Sequence, residues 1–488
     1  MMNAADLIAL LPILLISATA VAVMLGIAVK RSHALAAGLT LVGLAGAFLS
    51  IFAAVPLAPR QVTPLLLVDR FALFYMGLII ASAAVVAGLS YDYLKNRNEH
   101  REELYLLLLT ATAGCAVLVA STHFATFLLG LEILTVSLYA LIAYLKDRNR
   151  ALEAGIKYLI LASTSAAFLL FGMALIYAAA GTMEFSRIRE ISAGGDNLAL
   201  LVPGVVFTVT GIGFKLGVVP FHLWTPDIYE GAPAPVAAFV ATTSKTAMVA
   251  LLLRYAYLSG ALEYRGVFLV FAIIAIASMC AGNLLALEQR NVKRILAYSS
   301  IAHFGYILVG FIAGGAMGIE AVGFYLVAYT ATLLAAFGVV TVLSSATRDA
   351  DDIEDYRGLF WQRPLLGSVL TIALLSLAGI PATMGFVSKF YVLAAGAGAS
   401  AWPLILILAI TSVAGLFYYL RIVVALYSVP PERVFMRVTS RSGVFLVAAL
   451  SILLIWYGIY PTSLLKLVRT TAAPRDARDA PFVTKLDR

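Results

Sequence analysis

Apolar positions run through this chain in long unbroken stretches, divided by short polar turns. A helix needs about 20 apolar residues to cross a bilayer, and uninterrupted runs of that length read as spanning helices rather than core strands. Fourteen spans are predicted, at about 5–29, 34–56, 69–92, 104–121, 123–145, 153–180, 198–220, 234–258, 266–287, 295–314, 318–345, 365–397, 402–427 and 442–462. The expected fold class is all-α, a polytopic membrane protein. The seventh span ends in Gly211-Ile212-Gly213-Phe214-Lys215-Leu216-Gly217 and then Pro220. The twelfth is too long for one straight span and carries Gly379-Ile380-Pro381 and Gly385. Both read as broken helices. Residues 182–197 read as a short interfacial helix, and the tail after Leu465 as polar, extended or frayed.

Composition sharpens this picture. Of 488 residues 62% are apolar and 12% charged, against about 25% charged in soluble domains, and mean hydropathy is +0.97. The first run, Ala5 to Val29, has no basic residue before it and is too long for a signal-peptide core, so it reads as a retained helix. Cys115 and Cys280 are isolated in apolar spans, too few for a four-cysteine iron–sulfur cluster or zinc ribbon made by this chain alone. The net charge of +8 is not a nucleic-acid signal. Its distribution sets orientation instead. One set of alternate loops holds Lys30, Arg31, Lys95, Arg97, Arg101, Lys146, Arg148, Arg150, Arg290, Lys293, Arg294, Arg348, Arg357, Arg363, Arg433, Arg437 and Arg441. The other holds Arg60, Arg70, Arg187, Arg189 and Arg265. The N-terminus is therefore expected on the non-cytoplasmic side, and an even helix count puts the C-terminus there too, against the basic residues of the tail.

Candidate chemistry lies where charge interrupts the apolar runs. Glu132, Lys215, Lys245 and Lys389 all fall at membrane depth, and a charge there costs roughly 2.5–3.5 kcal/mol even on the lenient insertion scale. Broken backbone at that depth is tolerated only inside protein or beside a wet cavity. A single such Lys can be a snorkelling anchor; four costly charges beside two weakened helices read as an ion pathway. Proton transfer suits them, because burial favours the neutral amine and a nearby carboxylate favours the ammonium. Glu132 moving toward or away from Lys215 would hold or release its proton, and Lys215 and Lys245, on consecutive helices, would titrate as a coupled pair. His303 lies mid-helix, with Tyr298, Ser299 and Ser300 on the preceding turns, and His222 follows Pro220; each is a relay group or a hydrogen-bonded packing residue. Lys157 and Glu153 have the spacing of an i,i+4 pair and connect the series or merely stabilise their helix. Arg254 and Arg421 read as snorkelling anchors. Asp227 and Glu230 lie in the connection after the seventh span, structural as readily as functional.

A faint internal repeat accompanies these residues. Glu132 precedes Lys215, and His303 precedes Lys389, by two helices each; the copies are five helices apart and therefore inverted across the membrane. Inverted repeats with interrupted helices at matching places point to a transport site at their interface. The expected organisation is residues 1–98 for helices 1–3, 99–262 for the first repeat, 263–430 for the second, and 431–488 for helix 14 and the tail. No GxGxxG motif follows a strand, and there is neither a P-loop nor a bis-His haem pattern. The drive must come from a partner or an ion gradient.

At these residues the sequence resembles the antiporter-like membrane subunits of bacterial proton-pumping NADH:quinone oxidoreductase (respiratory complex I), and among them the N-subunit family. The resemblance covers most of the chain. It is densest at Leu129-Gly130-Leu131-Glu132 with Ser137-Leu138-Tyr139-Ala140-Leu141, at Glu153-Ala154-Gly155-Ile156-Lys157-Tyr158, and from Phe214-Lys215-Leu216-Gly217 through Tyr229-Glu230-Gly231-Ala232-Pro233. It continues at Leu296-Ala297-Tyr298-Ser299-Ser300-Ile301-Ala302-His303, at Gly379-Ile380-Pro381 to Lys389, and at Tyr356-Arg357-Gly358-Leu359-Phe360-Trp361.

The resemblance implies fourteen helices, with helices 4–8 and 9–13 as inverted repeats. It implies proton translocation by Glu132, Lys215, Lys245 and Lys389, with Lys157 and His303 as connectors. It places flavin (FMN), iron–sulfur clusters and the quinone site in partner subunits, with no cofactor or metal in this chain. It implies a multi-pass position in the bacterial cytoplasmic membrane beside other membrane subunits and lipid. Lys at the helix-12 position fits the N or L subunit rather than the M subunit, and the lateral helix of the longer L subunit is missing. The alternatives are a subunit of a multisubunit Na+/H+ antiporter or membrane-bound hydrogenase, a secondary transporter working alone on a small solute, and a passive scaffold.

Overall fold

The computed structural model describes residues 3–95, 97, 100–192, 198–430 and 441–471. Arg433, Arg437 and the tail beyond Thr471 lie outside the described residues. The chain begins with α1 (Ala4–Val29), α2 (His33–Ala54) and α3 (Arg70–Lys95). A capping box starts α1: the Asp6 N–H donates to Asn3 Oδ1 at 3.0 Å, and the Asn3 N–H donates to Asp6 Oδ2 at 2.8 Å. Between α2 and α3, β1 (Arg60–Thr63) and β2 (Leu66–Val68) pair antiparallel, Arg60 opposite Val68. This small hairpin is the one addition to the expected all-α fold among the described residues.

Next come α4 (Glu103–Ala120), α5 (Phe124–Ile142), α6 (Asn149–Ala180), the short α7 (Phe185–Ser192) and α8 (Leu198–Leu216). After the break, α9 (Trp224–Gly231) and α10 (Ala234–Phe239) lead through a π-helical turn, Val240–Ser244, into α11 (Lys245–Ser259). The second half holds α12 (Arg265–Leu287), α13 (Val292–Ala313), α14 (Gly315–Leu343) and the short α15 (Leu359–Gln362). It ends with α16 (Pro364–Ala378), α17 (Met384–Gly398), α18 (Trp402–Tyr427), α19 (Arg441–Ile459) and α20 (Thr462–Thr471).

Among the described residues thirteen helical runs, with α10 and α11 joined as one, are long and apolar enough to cross a membrane. The pair α16–α17 occupies the place of the twelfth predicted span, broken where the glycines and Pro381 fall. The tail departs from expectation. Residues 462–471 are helical, because Leu464 and Val468, four apart, fall on one face and are both buried, and Arg469 pairs with Glu320 at 3.2 Å.

The helices are not equivalent. The apolar windows of Ala234–Ser259, α13 and α14 are 100%, 94% and 94% buried by the rest of the chain, whereas those of α1, α2, α18 and α19 are buried to 33% or less. The outer helices turn their apolar faces outward, toward lipid or a partner. The central ones are surrounded by protein, so they can carry polar side chains that lipid would not accept.

Two buried ion clusters fasten this arrangement. Arg254 on α11, 1% exposed, donates to both Asp69 oxygens, at 2.7 and 3.2 Å, and to the Val119 carbonyl at 3.1 Å. It is not the snorkelling anchor expected from its position near a helix end. Asp349, in the connection after α14, accepts from Lys293 at 2.9 Å, Arg148 at 3.2 Å, Arg97 at 3.4 Å and the Tyr93 hydroxyl at 2.7 Å. Arg421 is half-buried and donates to the Leu287 and Gln289 carbonyls at the end of α12, where a cation complements the helix dipole.

Candidate functional site

The last turn of α8 carries Lys215, and the helix ends one residue later because Gly217 takes φ +69°. Only glycine adopts that conformation without strain, and the space is closed as well. A Cβ at Gly217 would sit 2.5 Å from Thr225 Oγ1 and 3.3 Å from Lys245 Nζ. The break thus brings the backbone of the Lys215 segment against the Lys245 ammonium. Lys215 itself is buried and donates to Thr135 Oγ1 on α5 at 2.7 Å. Glu132 lies one turn earlier on α5, its Oε1 buried without a hydrogen-bond partner. Among the described residues no ion pair joins Glu132 to Lys215.

Lys245 sits where the π-helical turn meets α11 and is 0% exposed. Its Nζ donates to Ser300 Oγ on α13 at 2.9 Å. The rings of Phe304, Tyr229 and Trp224 surround it at 4.7, 5.5 and 5.8 Å from their centroids, a cation–π cage that compensates part of the lost hydration. Ser300 also accepts from the Tyr329 hydroxyl at 2.7 Å and lies 3.3 Å from that of Tyr229.

One turn further along α13, His303 is bonded through Nδ1 to Tyr325 at 2.7 Å and through Nε2 to Tyr419 at 3.2 Å. Its ring packs on those of Tyr306 and Tyr329, with centroids 5.4 and 5.7 Å away. Tyr306 in turn faces the Lys389 ammonium at 5.3 Å. Lys389, in the second turn of α17, donates to Ser412 Oγ at 2.7 Å and to the Ala378 carbonyl at 2.9 Å. That carbonyl is free because α16 ends at Gly379, with φ +82°.

A second cluster lies beside this line, where the starts of α6 and α13 meet α9. Lys157 pairs with Glu153 at 2.7 Å and Asp227 at 2.8 Å; Arg294 pairs with Asp227 and Glu230, both at 2.9 Å; Arg150 reaches Glu230 at 3.2 Å. These residues line an open cavity of about 240 Å³. Burial would raise the Asp227 carboxyl, but hydrogen bonds from Lys157 and Arg294 outweigh it and hold the group below the ordinary carboxylate range. The cluster ties α9, which carries Trp224 and Tyr229, to α6 and α13.

The structure therefore brings Lys215, Lys245, His303 and Lys389 into one succession of contacts, with Glu132 one turn from Thr135 at its start and without a bond to it, and Lys157 and Glu153 in the flanking charged cavity. His222 is buried just past the break. Tyr298 is not brought in: it is half-buried, and among the described residues no hydrogen bond joins it to the line. Thr135, Tyr329 and Ser412, which hold or bridge the line, carry no sequence signal, because hydroxyls are common in these spans and most bond their own helix backbone. No group of three or more His, Cys, Asp or Glu able to hold a metal ion occurs among the described residues.

Residues 121–415 match the family described as NADH:quinone oxidoreductase/Mrp antiporter, transmembrane. The chain belongs to this family. It is 48% identical over 481 residues, 96% of its length and 97% of the relative's, to NADH-quinone oxidoreductase subunit N of Ectopseudomonas mendocina. It superposes on a chain of respiratory complex I from Thermus thermophilus, solved with bound aureothin, with a TM-score of 0.81 at 32% identity, covering 95% of this chain and 100% of that one. A chain of the Mrp complex from Dietzia sp. has a TM-score of 0.86 at 20% identity, with 98% of each covered, and shares the fold.

Proposed function

We propose that this chain is the N-type membrane subunit of an NADH:quinone oxidoreductase and translocates protons along the line Glu132, Lys215, Lys245, His303 and Lys389. The observation that carries the reading is a contact succession through the protein-enclosed centre of the fold, running from one broken helix to the other. Burial favours the neutral amine at each lysine, and hydrogen-bond acceptors favour the ammonium, so small movements at the breaks are enough to pass a proton on. Glu132 is the counter-charge closest in sequence to the Lys215 contact, and its unpartnered oxygen leaves it free to approach.

Lys157 and Glu153 connect the line to the charged cavity, and His222 supports the first break. Residues 99–262 and 263–430 act as the two inverted halves. Partner subunits hold the FMN, iron–sulfur clusters and quinone, and quinone reduction there supplies the drive. The distribution of Lys and Arg over the loops supports an N-terminus on the non-cytoplasmic side of a bacterial cytoplasmic membrane.

The test is Lys215→Ala in the assembled complex, with proton pumping and NADH-to-quinone electron transfer measured together. Collapse of both with assembly intact is the expected result. Normal NADH oxidation with loss of Na+/H+ exchange would transfer the chain to the antiporter reading. No effect on either would leave Lys215 a structural charge and refute the proposal.

A further inference from the structure

Four lysines are buried among the described residues: Lys215, Lys245, Lys293 and Lys389. Their partners divide them. Lys293 is bonded to the Asp349 carboxylate at 2.9 Å and the Ala232 carbonyl at 2.7 Å, both acceptors only. The other three each rest on a side-chain hydroxyl, at 2.7 Å for Lys215 on Thr135, 2.9 Å for Lys245 on Ser300, and 2.7 Å for Lys389 on Ser412. Among the described residues none of these three has a carboxylate partner.

The difference is chemical. An ammonium has three donors and no acceptor, whereas a neutral amine has a lone pair that must itself accept. A carboxylate favours the ammonium by its charge and has no proton to offer the lone pair, so a lysine held on one keeps its proton; a carbonyl can take an N–H from either form but likewise leaves the lone pair unmet. A hydroxyl accepts from the ammonium and, by rotating its O–H, donates to the amine. It satisfies both states without moving a heavy atom.

Each seat has the freedom to do so. The Thr135 hydroxyl donates to the Leu131 carbonyl at 2.6 Å, a bond within its own helix that it can exchange for the amine. Ser300 receives the Tyr329 hydroxyl and needs only to turn its own proton toward Lys245. At Lys389 the Ala378 carbonyl takes a proton in either state, while Ser412 changes role.

We infer that Thr135, Ser300 and Ser412 are positioning residues that let these lysines gain and lose a proton in place, and that the carboxylate seat of Lys293 on Asp349 marks it as a permanently charged structural lysine. The inference rests on the proton-relay reading above. It separates working from structural lysines by the partner of the ammonium rather than by depth.

The experiment uses the assembled complex and reads protons pumped per electron transferred. Thr135→Val keeps the volume and removes the hydroxyl; Thr135→Ser keeps the hydroxyl and removes a methyl. A seat predicts that Thr135→Ser pumps close to wild type and that Thr135→Val loses about tenfold or more, as for deleting one hydrogen bond to a charged group. A packing role predicts the reverse order and would overturn the inference, as would Thr135→Val at the wild-type level. Should Thr135→Val not assemble, Ser300→Ala against Ser300→Thr and Ser412→Ala against Ser412→Thr make the same comparison. Lys215→Ala, prepared in parallel, tells the two proposals apart. If it collapses while Thr135→Val is normal, only the seat is refuted; if it is silent, the relay reading falls and takes the seat with it.

Discussion

Replacing Asp349 by asparagine removes one negative charge from among three cations. The carboxylate is buried, at 5% exposure, and joins Arg97 beyond α3, Arg148 before α6 and Lys293 at the start of α13 to its own connection after α14. Burial alone would raise this carboxyl, but Lys293, Arg148 and Arg97 outweigh it and hold the group well below the ordinary carboxylate range. Removing one partner of a buried pair costs about 3–5 kcal/mol, because the remaining charges stay desolvated and uncompensated. At about 1.4 kcal/mol per tenfold, opening of the 344–358 connection should become at least about a hundredfold more frequent. Amide hydrogen exchange of that segment in the intact complex measures it, with Asp352→Asn, at an exposed cap, as the control. The pH dependence has a fixed sign. A carboxyl whose folded value is depressed stabilises fully above its unfolded value, about 4, and loses that contribution only as the pH falls further toward the folded value. The defect should therefore be constant from pH 6 to pH 8 and disappear only in strong acid. Wild-type protection in Asp349→Asn would refute the reasoning, as would a defect that fades between pH 8 and pH 6.

Two further outcomes follow from the geometry. Arg254→Met leaves Asp69 buried without its cation and should cost about 3–5 kcal/mol, measured as loss of the chain from the assembled complex on heating; adding Asp69→Asn should recover most of it. Gly379→Ala places a Cβ 2.8 Å from Lys389 Cδ and 3.2 Å from its Nζ, at a φ of +82°. It should lower pumping with assembly intact, while Gly38→Ala, where nothing lies within 4 Å, leaves pumping unchanged.

The spans and both breaks were legible because length and apolarity set the first, and glycine and proline set the second. Glu132, Lys215, Lys245 and Lys389 stood out for the opposite reason, as charges in segments that repel charge. Arg254 was misread because its partner Asp69 lies 185 residues earlier, and no local pattern distinguishes a paired arginine from a snorkelling one. The Asp349 cluster hides in the same way, its cations drawn from two distant connections and the start of α13. In the last described helix, Leu464 and Val468 were the available signal for α20, outweighed by the polar character of the tail around them. Of the hydroxyl seats, Ser300 was noticed only for its place before His303, and Thr135 and Ser412 could not be read at all. A Thr that bonds its own helix and a Thr that also receives a lysine have the same neighbours in sequence.

The π-helical turn ahead of Lys245 holds one more residue per turn than the α-helix on either side. It works as a stored offset between the two ends of this span. Deleting a residue from Val240–Ser244 would let the helix close into regular α-geometry, and each residue contributes about 100° of rotation. Lys245 would then turn away from Ser300 and its aromatic cage without any change to its own side chain. The direction in which this lysine points is thus written into the five-residue turn immediately upstream, and variation in length there matters more than variation in residue type.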